Sequence, residues 1–218
     1  MQFHLRLDHA ILRNPLKDTV MTPGILAALF AFCVVSTLTP GPNNLMVMAS
    51  GANFGYRRTL PHMVGIAIGF AVMTVLVGIG LMQIFDRFPV THTILTVASV
   101  LYLLYLAWKI ANAAPPDAEA VRSSRPLTFL QAAAFQWVNP KAWTMALTAI
   151  TVYAADRSFL AIVVVATMFA AVCIPCVSVW TVLGQQMRKV LTNPSRLRVF
   201  NWGMAFLLVA SLIPVLYP

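Results

Sequence analysis

Six apolar segments alternate with short polar segments along this chain. They cover residues 25–52, 63–82, 90–108, 129–153, 159–183 and 199–217. A helix needs about 20 residues, each rising about 1.5 Å, to cross the roughly 30 Å of hydrocarbon in a bilayer. All six segments are near or above that length, and the ~10-residue alternating segments of a membrane β-barrel are absent from the sequence. The pattern therefore predicts an all-α polytopic membrane protein with six transmembrane helices.

The composition favours the same environment. Hydrophobic residues make up 60% of the 218 residues and charged residues only 10%, against about 25% charged in a typical soluble domain. The net charge of +9 does not indicate a nucleic-acid partner, because the charges lie in short segments between the apolar ones. The lipid bilayer is the expected partner, no resident cofactor or metal is expected, and the oligomeric state stays open, a homodimer included.

Basic residues are distributed unevenly between the loops. The loops after the first, third and fifth segments contain nine of them: Arg57, Arg58, Lys109, Arg122, Arg125, Arg188, Lys189, Arg196 and Arg198. The loops after the second and fourth segments contain only Arg87 and Arg157. The positive-inside rule therefore predicts that the first set is cytoplasmic and that the C-terminus lies outside. A re-entrant first segment, giving five crossings, is the alternative.

A proline-rich linker, residues 113–126, divides the chain into two units. It contains Pro115, Pro116 and Pro126 with four charged residues, which predicts a flexible cytoplasmic loop between units 21–112 and 127–218. Residues 1–20 are charged and contain no long apolar run, and Met21 directly precedes the first apolar segment. We expect Met21 to be the natural start and residues 1–20 to be an extension outside the fold. A short amphipathic segment on the membrane surface is the alternative.

The two units are interrupted at matching places. Pro40 and Pro140 lie 100 residues apart, each inside a long apolar segment, and Arg57 and Arg157 follow at the same spacing. A repeat of three spans, an odd number, must insert upside down relative to its partner. The sequence thus predicts two inverted three-helix repeats with broken first and fourth helices, a plan that recurs among secondary transporters.

The two breaks concentrate the polar chemistry. Proline cannot donate a hydrogen bond and clashes with the preceding helical turn, and carbonyls freed at bilayer depth cost several kcal/mol unless they find partners. We expect a helix to restart at each break, with Thr39 or Asn139 as the N-cap and Pro40 or Pro140 as the first residue. Such a restart presents unpaired N–H groups and a positive dipole end, which suit a carboxylate.

Lys141 adds a full positive charge at the second break. A lysine at bilayer depth costs about 2.5–3.5 kcal/mol on insertion scales and needs a partner or a water-filled cavity. We therefore predict a midplane site for a small zwitterion. Its residues are Thr39, Pro40, Gly41, Pro42, Asn43, Asn44, Gln136, Asn139, Pro140 and Lys141. Purely structural kinks, with Lys141 reaching an interface, are the alternative.

Two further features carry weaker chemistry. No Asp or Glu lies inside a predicted span. His62 and His92 lie near the starts of the second and third spans, and a histidine titrates near neutral pH unless its surroundings shift its pKa. A structural role for both histidines is the alternative.

Cys173 and Cys176 share one helix face. This arrangement suits thiol exchange or binding of a soft metal, and simple helix packing is the alternative. No acid, base and nucleophile cluster at one depth, so we expect no enzyme.

Three runs of residues resemble the LysE/RhtB family of amino-acid exporters. Thr39-Pro40-Gly41-Pro42-Asn43-Asn44, followed by Gly55-Tyr56-Arg57-Arg58-Thr59 and Gly65, resembles the family's first motif. Gln136-Trp137-Val138-Asn139-Pro140-Lys141-Ala142-Trp143 resembles its second, and Ala107-Trp108-Lys109 is also similar. The Pro-Gly-Pro-Asn-Asn form looks closest to the cysteine/O-acetylserine exporter branch.

The resemblance has direct functional implications. It implies secondary-active efflux of small amino acids or their derivatives across the bacterial inner membrane, driven by the proton gradient. In that membrane, the outside C-terminus predicted from the basic residues lies in the periplasm. Two other functions remain open at this point, a membrane thiol-redox carrier and a soft-metal exporter. Both would depend on Cys173 and Cys176.

Overall fold

The computed structural model describes residues 22–81, 83, 87, 88, 90–113, 125–155, 157–191 and 193–213. The predicted extension 1–20 and most of the predicted linker 113–126 lie outside these residues. Within the described ranges the chain is helical and contains no strand. The predicted all-α class is confirmed.

Eight α-helices follow one another in the described ranges. They are α1 (Pro23–Leu38), α2 (Pro42–Phe54), α3 (Tyr56–Leu76), α4 (Val90–Ala111), α5 (Phe129–Phe135), α6 (Pro140–Tyr153), α7 (Phe159–Val190) and α8 (Pro194–Ala210). A π-helical turn, Val77–Leu81, extends α3, and a 3₁₀ turn, Gln136–Val138, follows α5. The first apolar segment thus folds as α1 and α2, and the fourth as α5 and α6.

Side-chain caps fix where several helices begin. The Thr22 hydroxyl accepts from the Ile25 N–H at 3.3 Å ahead of α1, and the Ser158 hydroxyl accepts from the Ala161 N–H at 3.2 Å ahead of α7. At α5, Thr128 forms a reciprocal capping box with its third helical residue, a glutamine. Each cap satisfies an N–H that the first helical turn leaves without a partner.

α7 is the centre of the bundle. α2 and α3 pack against it most extensively, and α1 also contacts it. α3 packs in addition against α5, while α4 and α8 pack against each other at the side. A Cβ atom added to Gly51 of α2 would collide with the Thr181 carbonyl of α7, and one added to Gly184 of α7 would collide with the Met48 carbonyl. Glycine therefore lets these two backbones touch.

The outside of the bundle is apolar. Leu101 of α4 is 62% exposed, Leu160 of α7 73% and Phe206 of α8 71%. Exposed apolar side chains of this size on several helices do not suit contact with water. They are the surface expected of helices that face lipid.

Three helices are long and apolar enough to cross a membrane: Tyr56–Leu81, Thr93–Ala111 and Phe159–Met187. The α1–α2 pair passes the same criterion as one unit bent by 57°, either a broken span or a re-entrant loop. The described residues thus give three or four candidate spans by length and composition. α8, with 17 residues, and the interrupted α5–α6 unit are not among them.

Candidate functional site

The first break runs from Thr39 to Gly41. Thr39 is the C-cap of α1, and its hydroxyl donates to the Val35 carbonyl at 2.5 Å. α2 restarts only at Pro42, with the extended Gly41 as its N-cap. The prediction that Thr39 caps a helix beginning at Pro40 was therefore wrong. Because Pro42 disfavours helical backbone at the residue before it, Gly41 is excluded from the helix and the restart is delayed by two residues.

The second break restarts where the sequence predicts. Asn139 has extended backbone, and Pro140 is the first residue of α6. The Asn139 side chain makes no capping hydrogen bond. The indole N–H of Trp143 donates to the Trp137 carbonyl at 2.9 Å, which ties the 3₁₀ turn to the new helix.

Side chains satisfy the carbonyls at the end of α1. The Asn44 amide donates to the carbonyls of Thr37 and Thr39, both at 2.8 Å. The indole N–H of Trp180 on α7 donates to the Leu38 carbonyl at 3.1 Å. These bonds remove much of the free-energy penalty of breaking a helix at bilayer depth.

Lys141 joins the two breaks. Its ammonium donates to the Thr39 carbonyl at 2.5 Å and to the Pro40 carbonyl at 3.4 Å. A Cβ atom on Gly41 would lie 2.7 Å from Cδ and 3.1 Å from Nζ of Lys141, so the lysine side chain lies over the glycine. An ammonium has three N–H donors, so one remains after these two bonds.

A reciprocal amide pair also connects the breaks. The Asn43 amide donates to Oε1 of Gln136 at 2.9 Å, and the Gln136 amide donates to Oδ1 of Asn43 at 3.2 Å. Gln136 is fully buried and donates in addition to the Ala132 carbonyl at 2.9 Å. Two segments 93 positions apart are thereby fixed side by side.

A cavity of about 30 Å³ lies where the breaks meet. It is lined by Ser36, Thr37, Gly41, Asn43, Asn44, Ile66, Phe70, Asn139, Lys141, Ala142, Met145, Cys173 and Val177. Two buried polar atoms at its wall, Oγ1 of Thr37 and Oδ1 of Asn139, have no hydrogen-bond partner among the described residues. Unpaired buried polar atoms are rare in native structures and point to a ligand or water.

The ten predicted site residues form one cluster. Five line the cavity: Gly41, Asn43, Asn44, Asn139 and Lys141. The other five shape or satisfy the breaks: Thr39, Pro40, Pro42, Gln136 and Pro140.

The sequence did not indicate that Thr37, or side chains of α3 and α7, line the cavity. Ile66 and Phe70 come from α3, and Cys173 and Val177 from α7. Thr37 lies two residues before the first break, which is a signal in the sequence. Ile66, Phe70 and Val177 are ordinary apolar positions, and Cys173 was considered only for thiol or metal chemistry. Only the packing of the helices brings these four residues to the cavity.

The two cysteines of α7 face different surroundings. Cys173 lines the cavity and packs with Val47 and Met63, whereas Cys176 belongs to the cluster that contains Cys33. All three thiols are buried and free. Within the described part of the chain, no group of three His, Cys, Asp or Glu residues is placed to hold a metal ion.

The chain matches a known family over most of its length. Residues 34–213 match the LysE type translocator family. No solved structure matches the chain.

Curated relatives carry a transport function in their names. The cysteine/O-acetylserine efflux protein of Escherichia coli (strain K12) is 27% identical over 207 residues, covering 90% of this chain and 100% of the relative. The protein of the same name from Shigella sonnei (strain Ss046) gives the same values. A third, from Escherichia coli O139:H28 (strain E24377A / ETEC), is 31% identical over 135 residues, covering 61% of this chain and 67% of the relative.

Proposed function

Because this chain belongs to the LysE type translocator family, we propose that it is a secondary-active exporter of small amino acids or their derivatives in the bacterial inner membrane. The family and its efflux-protein relatives are transporters, so the chain is a membrane transporter and not an enzyme. Cysteine and O-acetylserine, which the relatives' names specify, are the first substrates to test. One observation carries the proposal: two unpaired polar atoms and a lysine line the same cavity between the breaks.

The cavity has the groups that a zwitterion requires. The remaining N–H of Lys141 and the N–H groups in the first turn of α2 suit the substrate carboxylate. Oγ1 of Thr37 and Oδ1 of Asn139 are acceptors for the substrate ammonium. Both ends of an amino acid thus find partners that the protein leaves without bonds of their own.

The cavity must widen during transport. About 30 Å³ has room for about two water molecules, which is too little for an amino acid. Lys141 and the Asn43–Gln136 pair hold the two breaks together in this arrangement. The structure is therefore assigned to a closed state, and binding requires the broken helices to separate from α3 and α7.

The packing supports six spans in two inverted repeats. Exchanging the halves relates α1–α2 to α5–α6, α3 to α7, and α4 to α8. α1 and α2 pack on α7, and their counterparts α5 and α6 pack on α3. The α3–α7 contact joins two helices that exchange with each other, and so does the α4–α8 contact, so both contacts are unchanged by the exchange. Such exchange symmetry is expected of a pseudo-two-fold axis in the membrane plane.

The orientation follows from the loop charges. With six spans, the basic loops after the first, third and fifth spans lie in the cytoplasm and the C-terminus lies in the periplasm. Gly55, between α2 and α3, then marks the cytoplasmic end of α3.

Efflux from preloaded cells tests the proposal. Cells with and without the protein are loaded with labelled cysteine, O-acetylserine and other amino acids, and loss of label is followed before and after an uncoupler. We expect faster export of one or a few small amino acids that collapses with the uncoupler. Equal export with and without the protein for every amino acid would refute the proposal.

A further inference from the structure

A buried histidine outside the cavity has no partner. His62 of α3 is 1% exposed, and neither ring nitrogen has a hydrogen-bond partner among the residues that the structure describes. Burying an unpaired polar group costs about 1–3 kcal/mol. An apolar side chain at this position would avoid that cost, so packing alone does not explain the histidine.

His62 lies next to the cavity on the stripe of α3 that faces it. Ile66 and Phe70 line the cavity, and His62 is one turn before Ile66, since residues four apart on a helix share a face. In the opposite direction, the hydroxyl of Thr59 is 2.8 Å from that of Ser50 and donates to the Gly55 carbonyl at 2.9 Å. His62 thus stands between the cavity and a polar pair at the end of α3 that the proposed orientation places in the cytoplasm.

Few other titratable groups face this position. α2 and α5 contain none, and α6 contributes Lys141 and Tyr153. α7 contributes Cys173 at the cavity, Cys176 one turn away from it, and Arg188 and Lys189 at its end, while α3 itself adds Tyr56, Arg57 and Arg58 at its start. The eight helices, as the structure describes them, contain no Asp or Glu.

Lys141 is engaged in the contact between the breaks. Its ammonium donates to the carbonyls of Thr39 and Pro40, so proton release from Lys141 would also break the contact that joins the two halves. His62, by contrast, is a titratable side chain one turn from the cavity whose ring no hydrogen bond engages in the described part of the chain.

We propose that His62 carries the proton whose inward movement drives export, an inference that rests on the proposed function. When the cavity opens to the periplasm, the neutral imidazole accepts one proton from water. When it opens to the cytoplasm, the imidazolium returns that proton to water through the Ser50–Thr59 pair. One proton enters for each amino acid that leaves, and no bond in the substrate is made or broken.

Two transport modes of purified protein in liposomes separate the coupling role from a structural one. Labelled O-acetylserine is followed as accumulation driven by an imposed pH gradient, and as exchange against unlabelled O-acetylserine without a gradient. Exchange needs substrate binding and movement of the protein but no net proton transfer. We expect His62→Gln to reduce gradient-driven accumulation to the level of protein-free liposomes while keeping exchange. His92→Gln, a histidine of α4, is the matched control and should keep both modes.

The outcomes are distinct. Gradient-driven accumulation that survives in His62→Gln overturns the inference, and so does loss of both modes in a variant that reconstitutes normally. If His62→Gln does not reconstitute, the wild type still decides: at a constant pH difference, gradient-driven accumulation should depend on the absolute pH, and exchange should not. The same pH dependence in both modes would also overturn the inference. A wild type that transports neither O-acetylserine nor any other amino acid in either mode would refute the proposed function instead.

Discussion

At the scale of single residues, the contact between Lys141 and Gly41 links the two halves of the chain. The lysine comes from the second break and its ammonium bonds carbonyls of the first. Gly41 leaves the space that the lysine side chain occupies. The glycine is needed for that space and not for its backbone angles, because its φ of −177° is open to any residue.

Gly41→Ala tests this contact. The added methyl group would displace Cδ of Lys141 and move the ammonium away from the Thr39 and Pro40 carbonyls. The displaced ammonium would also lose its proposed bond to the substrate carboxylate, and a charged hydrogen bond is worth about 1.5–3 kcal/mol, so we expect the substrate concentration for half-maximal exchange to rise about tenfold or more. Gly24→Ala is the control, because its Cβ atom would meet nothing closer than 3.9 Å. Equal effects of the two substitutions would contradict the assigned contact.

The sequence identified the cluster but not all of its chemistry. Proline, amide and other polar residues inside apolar segments can be recognised in the sequence, and the ten residues selected in this way do lie together. The lysine was expected to bind substrate, whereas its position shows that it first satisfies carbonyls of the other break. Thr37 and His62 are candidates for a functional role because their buried polar atoms have no hydrogen-bond partner among the described residues. The sequence cannot show this property, because it depends on how the neighbouring helices pack.

At the scale of elements, the contact between α2 and α7 depends on the absence of side chains. Gly51 and Gly184 lie against carbonyl oxygens of the opposite helix. Backbone atoms cannot rotate away as a side-chain terminus can. The sequence shows where the glycines lie, but it could not indicate which helix each one meets.

Gly51→Ala should separate α2 from α7. Overpacking of this kind costs about 1–3 kcal/mol, so we expect a lower temperature for loss of the monodisperse protein on heating in detergent. Gly203→Ala of α8 is the matched control, since its Cβ atom would meet nothing within 4 Å. Unchanged thermal stability of Gly51→Ala would show that the helices are not in backbone contact.

At the scale of the whole molecule, the sides on which the later loops lie do not depend on whether α1–α2 crosses the membrane. The sequence gives six apolar segments, and the structure gives helices in all of them, of which three or four units qualify as spans by length and composition. The re-entrant alternative for α1–α2 affects the position of the N-terminus only. The loops between later spans keep their sides in either case.

Labelling of single cysteines by a membrane-impermeant reagent tests the orientation. Gln83 and Ser195 are exposed, after α3 and at the start of α8 respectively. In intact cells whose outer membrane is permeable to the reagent, we expect Gln83→Cys to react at once and Ser195→Cys only after lysis. The wild type, whose three cysteines are buried, should stay unlabelled. Labelling of Ser195→Cys before lysis and of Gln83→Cys only after lysis would contradict the proposed orientation.

The central claim is that the two breaks form one amino-acid site. The most direct measurement is exchange of labelled O-acetylserine by purified protein in liposomes, comparing Thr37→Val with Thr167→Val. Thr37 lines the cavity and its buried hydroxyl has no partner among the described residues, whereas the exposed Thr167 hydroxyl bonds carbonyls of its own helix. We predict that Thr37→Val raises the substrate concentration for half-maximal exchange about tenfold and that Thr167→Val leaves it unchanged. Identical exchange in both variants and the wild type would contradict the site.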